Sequence, residues 1–464
     1  MPKVAIADRL FLTAESENTP QHVACLATFF LPDDAEDGWV GELAAQLRSQ
    51  TAFGAPFNYK IHRPALKNLA PKWDVVPDDR IDIDYHFRYT VLPQPGGERE
   101  LGDFISRQHS CPLDTTRPLW EFYLIEGLER RRFAIYFKVH HALIDAVGGV
   151  KKISKMITPF PDSAPVRALW TIGPTPRTTT AGEPVPFANR VRAVRDVIAG
   201  TAKTAAGLGR SAGSMIVQGR RRGDYDLAVP FIAPNSVVNG RIGSQRRVAT
   251  QSYDVSRIRA VAKAAGVTVN DVFLAICAGG LRQYLSEFDN LPLRTLTAGA
   301  PVNVRDANDE HTSNAFSMIV VNLGTQIADP AERLRAIARS SSEGKAQLAD
   351  MPKRASELYP ALFMGPFILQ NLIGSGGRGA PPYNVSISNV PGPLEQQYLA
   401  GAPLEGMYPL GMLYHGLGLF IALFSSSGRL GVGFTGDSGS LPHLQRLAMS
   451  TGEALLELEK AFDL

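Results

Sequence analysis

Apolar residues recur along the chain at two spacings, and their alternation predicts a mixed α/β protein. Ile81–Tyr89 (IDIDYHFRY) alternates apolar and polar residues, and Phe133–Val139 (FAIYFKV) gathers aromatic and β-branched residues over a strand's length, so both are predicted strands. Val40–Gln50 and Gly97–His109 carry apolar residues at helical spacing with charges on the other side, and Ala146–Met156 is a further helical stretch. From Val248 the alternation resumes. Strands are expected at Val248–Tyr253, Leu296–Val304, Phe316–Leu323 and Asn384–Asn389, with helices at Val255–Ala265 and Asn270–Leu285. Gly418–Ser425 and Leu430–Thr435 read as a hairpin, and Leu441–Phe462 as a closing amphipathic helix.

Between these two runs the pattern breaks. Pro159, Pro161, Pro165, Pro174, Pro176, Pro184 and Pro186 exclude a continuous helix or central strand. The expected organisation is therefore a domain at 1–158, a connection at 159–245 and a second domain at 246–464. Inside the connection, residues 187–222 carry eight basic side chains against Asp196 alone, a local net of +7 in a chain whose total is +3. Val191, Val194, Val197 and Ile198 would form the apolar stripe of a basic helix, either a solvated face or one that docks on lipid headgroups or cofactor phosphates.

Composition narrows the classes. A chain of 464 residues, 44% hydrophobic, can bury a full core without covalent staples. Cys25, Cys111 and Cys277 lie far apart with no CxxC, so neither a disulfide framework nor a metal site is expected, and a reducing, cytoplasmic setting fits. The small net charge argues against nucleic-acid binding. The first residues, with acids and a proline, read as part of the fold rather than as a secretory signal, and no apolar window reaches the roughly 18 residues that a membrane span needs.

Two apparent motifs lack the context their chemistry requires. Gly209–Gly213 (GRSAG) matches a nucleophile elbow but follows TAKTAAGL, which is no buried strand. Gly374–Gly379 (GSGGRG) matches a dinucleotide loop but runs into Ala380, Pro381 and Pro382, where a helix should begin, and so reads as a turn. The informative segment is His140-His141-Ala142-Leu143-Ile144-Asp145, between the Phe133–Val139 strand and the next helix. Adjacent residues at a strand end point to opposite faces, so one imidazole can pack while the other meets substrate. An imidazole that titrates near ambient pH is well suited to take a proton from a hydroxyl.

With this segment the chain resembles the bacterial wax ester synthase/acyl-CoA:diacylglycerol acyltransferases, relatives of chloramphenicol acetyltransferase and of condensation domains, through their HHxxxDG signature. The resemblance also runs through DRLFLTAESENTPQHVACL (8–26), DIDYHFR (82–88), RPLWEFYLIEGL (117–128), VNDVFLAICAGGLR (269–282), AGAPVNVR (298–305) and NVSISNVPGP (384–393). It implies a two-domain CoA-dependent acyltransferase fold with mixed sheets and an active-site tunnel between the domains. It further implies acyl-CoA as donor substrate, no bound cofactor or metal, and a diacylglycerol or long-chain alcohol acceptor. The enzyme would work in the cytoplasm, peripherally at the inner membrane or a lipid-droplet surface. On this resemblance His141 is the general base and His140 packs behind it. Asp145 shapes the site, with Arg305 as its partner. Asn270 and Asp271 serve as helix cap and site residues together, Pro118, Leu119 and Trp120 line the channel or fill core, and Ser388 and Asn389 line the site. YPALFMGPFILQNLIG (359–374) is a wall of the acyl pocket, an interfacial helix pair, or core. Two departures stand out: Ala146 in place of the signature's Gly, and GLFIALFSSSG around Phe420 and Ser425–Ser427 in place of a more polar stretch. The alternatives are transfer from a carrier-protein thioester or to another alcohol, and a lipid-binding homologue without activity.

Overall fold

The structure is a computed structural model and describes residues 4, 6–62, 71–144, 146–161, 166–173, 228, 230–288, 290–303, 316–350 and 364–464. Two six-stranded mixed sheets organise it, beside a two-stranded pair of β2 (Tyr59–Ile61) and β3 (Trp73–Val75). The first contains β1 (His22–Phe30), β4 (Phe87–Val91), β5 (Trp120–Leu128), β6 (Arg132–His140), β11 (Tyr398–Leu399) and β12 (Ala402–Leu410), in the order β11-β12-β1-β6-β5-β4. All its pairs are antiparallel except β4 with β5, which α4 (Glu98–Ser110) joins as a crossover. The second sheet runs β7-β14-β13-β10-β8-β9. Its members are β7 (Arg246–Asp254), β8 (Thr297–Asn303), β9 (Phe316–Asn322), β10 (Val385–Val390), β13 (Leu419–Ser426) and β14 (Arg429–Asp437), with β10 parallel to both neighbours. Helices α6 (Val255–Ala265), α7 (Val269–Glu287), α8 (Pro330–Ala349) and α9 (Leu444–Ala461) belong to this half.

The expected elements after Val248 all form, as do α2 (Trp39–Arg48), α4, β6 and α5 (Ala146–Met156). Ile81–Tyr89 does not form one strand. Only its end enters β4, because α3 (Ile83–His86) interrupts it. The Asp82 carboxylate accepts the Tyr85 amide at 3.3 Å and caps that turn. His86 is then carried inward, where its ring stacks on Trp120 and its Nδ1 lies 2.8 Å from the Trp120 carbonyl. A local cap and a buried ring outweigh the period-two pattern.

The halves interlock through strand exchange. β12 lies far down the chain yet pairs with β1 in the first sheet. Its outer surface crosses β14 closely: a Cβ at Gly431 or Gly433 would lie 2.0 Å from the Met407 or Pro409 carbonyl oxygen. Only a residue without a side chain permits that crossing. In the second half, Gly279 and Gly280 of α7 likewise admit Ala454 and Thr451 of α9.

Candidate active site

The site starts from β6, whose alternation separates two environments. Phe133, Ile135, Phe137 and Val139 enter an aromatic core with Trp120, Trp170 and Phe57, whereas Ala134 and Tyr136 pack with Leu101 and Ile105 of α4. Lys138 lies on the α4 side, where its ammonium donates to the Gln108 and Cys111 carbonyls and sits 2.8 Å from Glu121. His140 continues that face and is fully buried. His141, one step further, is half-buried. The two histidines are thus divided between interior and access, as the strand-end position predicts.

Backbone bonds hold this strand end. The His140 amide donates to the Leu119 carbonyl at 3.0 Å, and the His141 amide to the Gln21 carbonyl at 2.8 Å. The His140 Nδ1 accepts the Ala142 amide at 3.1 Å, which leaves the Nε2 as the proton-bearing nitrogen of the neutral ring. That Nε2 is 3.4 Å from the carboxylate of Glu15, whose side chain is 7% exposed. The His141 ring rests on Phe11, with centroids 4.1 Å apart. Phe11 belongs to α1 (Ile6–Ala14) and Glu15 follows it, so the N-terminal helix supports both rings.

Behind this pair lies a second group of buried histidines. His22 pairs with His140 across the strands, and its Nε2 donates to the His109 carbonyl at 3.0 Å. The His109 Nε2 faces the Gly411 carbonyl at 3.1 Å and its Nδ1 the Tyr136 hydroxyl at 2.9 Å. Burial, helped by the Lys138 charge, brings His109 down to about 3, and burial, with the neighbouring His109 ring and the Lys138 charge, brings His22 well below the ordinary histidine range. Both rings are neutral at physiological pH, so they order the strand ends without carrying charge.

From the other half, β10 and α7 bring their expected residues together. The Asn389 amide donates to the Asn270 side-chain oxygen at 3.3 Å. Thr268 and Asp271 exchange the bonds of a capping box: Thr268 accepts the Asp271 amide, and Asp271 accepts the Thr268 amide at 3.1 Å and its hydroxyl at 2.6 Å. Asp271 is buried, and its Oδ1 has no hydrogen-bond partner among the described residues. Ser388 is half-buried on β10, and Val390 and Phe424 at the ends of β10 and β13 pack into the core that holds Ile144 and Leu143. The ends of β10 and β13 therefore share one core with the segment that follows the histidines.

Trp120 is fully buried, donates its indole N–H to the Phe57 carbonyl and stacks on His86 and Trp170; Leu119 is equally buried. Pro118 accepts the Trp120 amide through its carbonyl. Asp145 and Arg305 lie outside the described residues, as do the basic stretch 187–222 and the GRSAG segment. The 374–379 glycines form turns. Among the described residues no group of His, Cys, Asp or Glu is arranged to hold a metal ion, and no single helix is long and apolar enough to cross a membrane.

Sequence reasoning missed Glu15, Gln21, His22 and His109. Their signal was a polar residue inside an apolar strand or helix face, such as His22 ahead of VACLATFF and Lys138 within FAIYFKV. A cavity of about 830 Å³ opens at the opposite end of β1 and β6, lined by Phe30, Trp39, Arg131 and Tyr398, away from these groups.

Residues 4–273 match the wax ester synthase/diacylglycerol acyltransferase catalytic domain, and residues 312–459 the C-terminal domain of the same enzymes. The chain is 38% identical over 455 residues to a probable diacylglycerol O-acyltransferase of Mycobacterium tuberculosis, with 98% of each chain covered. Its fold is similar to that of a wax ester synthase/diacylglycerol acyltransferase from Marinobacter aquaeolei, with a TM-score of 0.79, 34% identity and full coverage of both chains. A starter condensation domain of rhizomide synthetase shares the fold at a TM-score of 0.54 and 13% identity, covering 100% of this chain and 94% of that one.

Proposed function

The chain belongs to the wax ester synthase/diacylglycerol acyltransferase family, and on that premise we propose that it esterifies diacylglycerol or a long-chain alcohol with the acyl group of acyl-CoA, using His141 as general base. The observation that carries this reading is the division of the histidine pair: His140 is sealed inside against Glu15, and His141 alone is half-exposed at the strand end. The imidazole accepts the acceptor's hydroxyl proton as the oxygen forms a bond to the thioester carbon. Collapse of the tetrahedral intermediate breaks the C–S bond, and the departing CoA thiolate takes up the proton from the imidazolium. Transfer is direct, so acyl-CoA is a substrate and no resident cofactor is required.

The remaining site residues take supporting roles in this proposal. Asn270 and Asp271 set the N-terminus of α7 at the reaction centre, where its positive end favours a developing oxyanion. Asn389 and Ser388 line the same wall, while Pro118, Leu119 and Trp120 hold the strand end rigid from behind. Asp145 and Arg305 are assigned to site geometry. The segment 1–158 supplies the base and 246–464 the facing wall. An enzyme with such acceptors must meet lipid, so we place its work in the cytoplasm, peripherally at the membrane or lipid-droplet surface.

Release of CoA thiol from palmitoyl-CoA, with hexadecanol and diacylglycerol offered separately, tests the reading. Wild type is expected to release thiol only with an acceptor, and His141→Ala to lose about 10²- to 10⁴-fold in rate. Acceptor-dependent release that survives His141→Ala would remove His141 from the role of base.

A further inference from the structure

Residues 364–372 form a short helix that is apolar on both sides. Phe367, only 2% exposed, anchors it to Tyr383, Leu417 and Val320. The opposite side presents Leu369, Leu372 and Ile373, at helical i, i+3, i+4 spacing and exposed by 57%, 44% and 68%. Side chains of this size, clustered at the surface, mark a contact.

Charge at the helix end names the partner. The exposed Arg241 is held there, its guanidinium donating to the Gly374 carbonyl at 2.9 Å and to that of Gly376 at 3.3 Å, and Arg378 is exposed beside it. Neither 228–245 nor 364–383, the segments that build this corner, contains an Asp or Glu. An apolar ridge flanked by guanidinium groups that meet no carboxylate among the described residues suits a surface whose interior is hydrocarbon and whose headgroups are anionic. The corner also leads inward: Phe367 meets the Tyr414 ring edge-on at 5.9 Å, Tyr414 donates to the Gln21 side chain at 2.8 Å, and the Gln21 carbonyl holds the His141 amide.

We propose that the 364–373 corner, through Leu369, Leu372, Ile373, Arg241 and Arg378, docks the enzyme on an anionic phospholipid surface. The proposal rests on the acyl-transfer reading, in that docking here brings a lipid-dissolved acceptor to the side of the molecule from which Tyr414 and Gln21 lead to His141. The inserted side chains would lie at the boundary between headgroups and acyl chains, and the arginines among the phosphates.

Co-sedimentation with vesicles of phosphatidylcholine and phosphatidylglycerol in equal parts, and with phosphatidylcholine alone, tests this. Wild type is expected to bind the anionic vesicles more tightly, and less so as salt rises. The combined variant Leu369→Ser/Leu372→Ser/Ile373→Ser should lower partitioning by about tenfold or more, and Arg378→Glu by about fivefold. Wild type that fails to bind, or a combined variant that binds as wild type does, overturns the proposal. Thiol release from a short-chain acyl-CoA and a water-soluble alcohol, run in parallel, separates the two readings. Variants that keep this activity while losing vesicle binding support the docking face, and wild-type binding through this corner without any thiol release would retain the face and reject acyl transfer.

Discussion

Acidification should unlock the seam between the halves through His109. The ring is 2% exposed, with Nε2 donating to Gly411 at the end of β12 and Nδ1 accepting from Tyr136, so its neutral form satisfies both nitrogens. Its ordinary value of 6.5 falls to about 3 on folding, chiefly by burial. The unfolded chain therefore binds this proton first: stability is complete above the unfolded value and is lost as the pH falls towards the folded one. Between about pH 7 and about pH 5 the single ring should withdraw ~2 kcal/mol of folding stability. His22, displaced in the same direction, adds to the slope. Urea unfolding followed by tryptophan fluorescence at the two pH values measures this, with His109→Gln as the comparison. The variant is expected to start less stable near neutrality, because Gln replaces the ring imperfectly, but to lose ~2 kcal/mol less on acidification. Equal losses in the two proteins would show that His109 titrates normally and would refute the argument from burial.

Three other substitutions probe the same framework. Glu121→Gln removes the carboxylate charge that opposes the wholly buried Lys138 ammonium, leaving it neutral acceptors only, and should cost about 3 kcal/mol or more in urea unfolding. Because burial already lowers the Lys138 value, that cost should shrink as the pH is raised and the amine loses its proton; a cost below about 1 kcal/mol would mean the pair acts like one at the surface. Gly433→Ala places a methyl group 2.0 Å from the Pro409 carbonyl where the sheets cross, and should cost about 3 kcal/mol or prevent folding; unchanged thermal unfolding would contradict the crossing. Glu15→Gln removes the charge facing His140, and should reduce kcat by about tenfold while KM for acyl-CoA holds; an unchanged kcat would separate Glu15 from the ordering of the histidine pair.

Much of the fold was legible because its signals are local. Period two along FAIYFKV, helical spacing in 97–109 and 441–462, and the strand-turn-strand pattern at 418–435 each depend on residues that are neighbours in the chain. The histidine pair was legible for the same reason, since the pleat alone separates two adjacent side chains. Local reading failed at Ile81–Tyr89, where an Asp82 cap and the stacking of His86 on Trp120, 34 residues away, decided the conformation.

What the sequence determined by itself was therefore the kind of element at each place and the residues able to move a proton. The tertiary structure decided which of them meet. Only the folded chain sets Glu15 against His140, His109 against Gly411, Asn389 against Asn270, and Tyr414 against the Gln21 whose carbonyl holds His141. Each partnership joins segments with no shared periodicity, and all but the exposed Asn389–Asn270 bond stand because burial removes water as a competing partner and leaves the other segment as the place where a polar group can be satisfied.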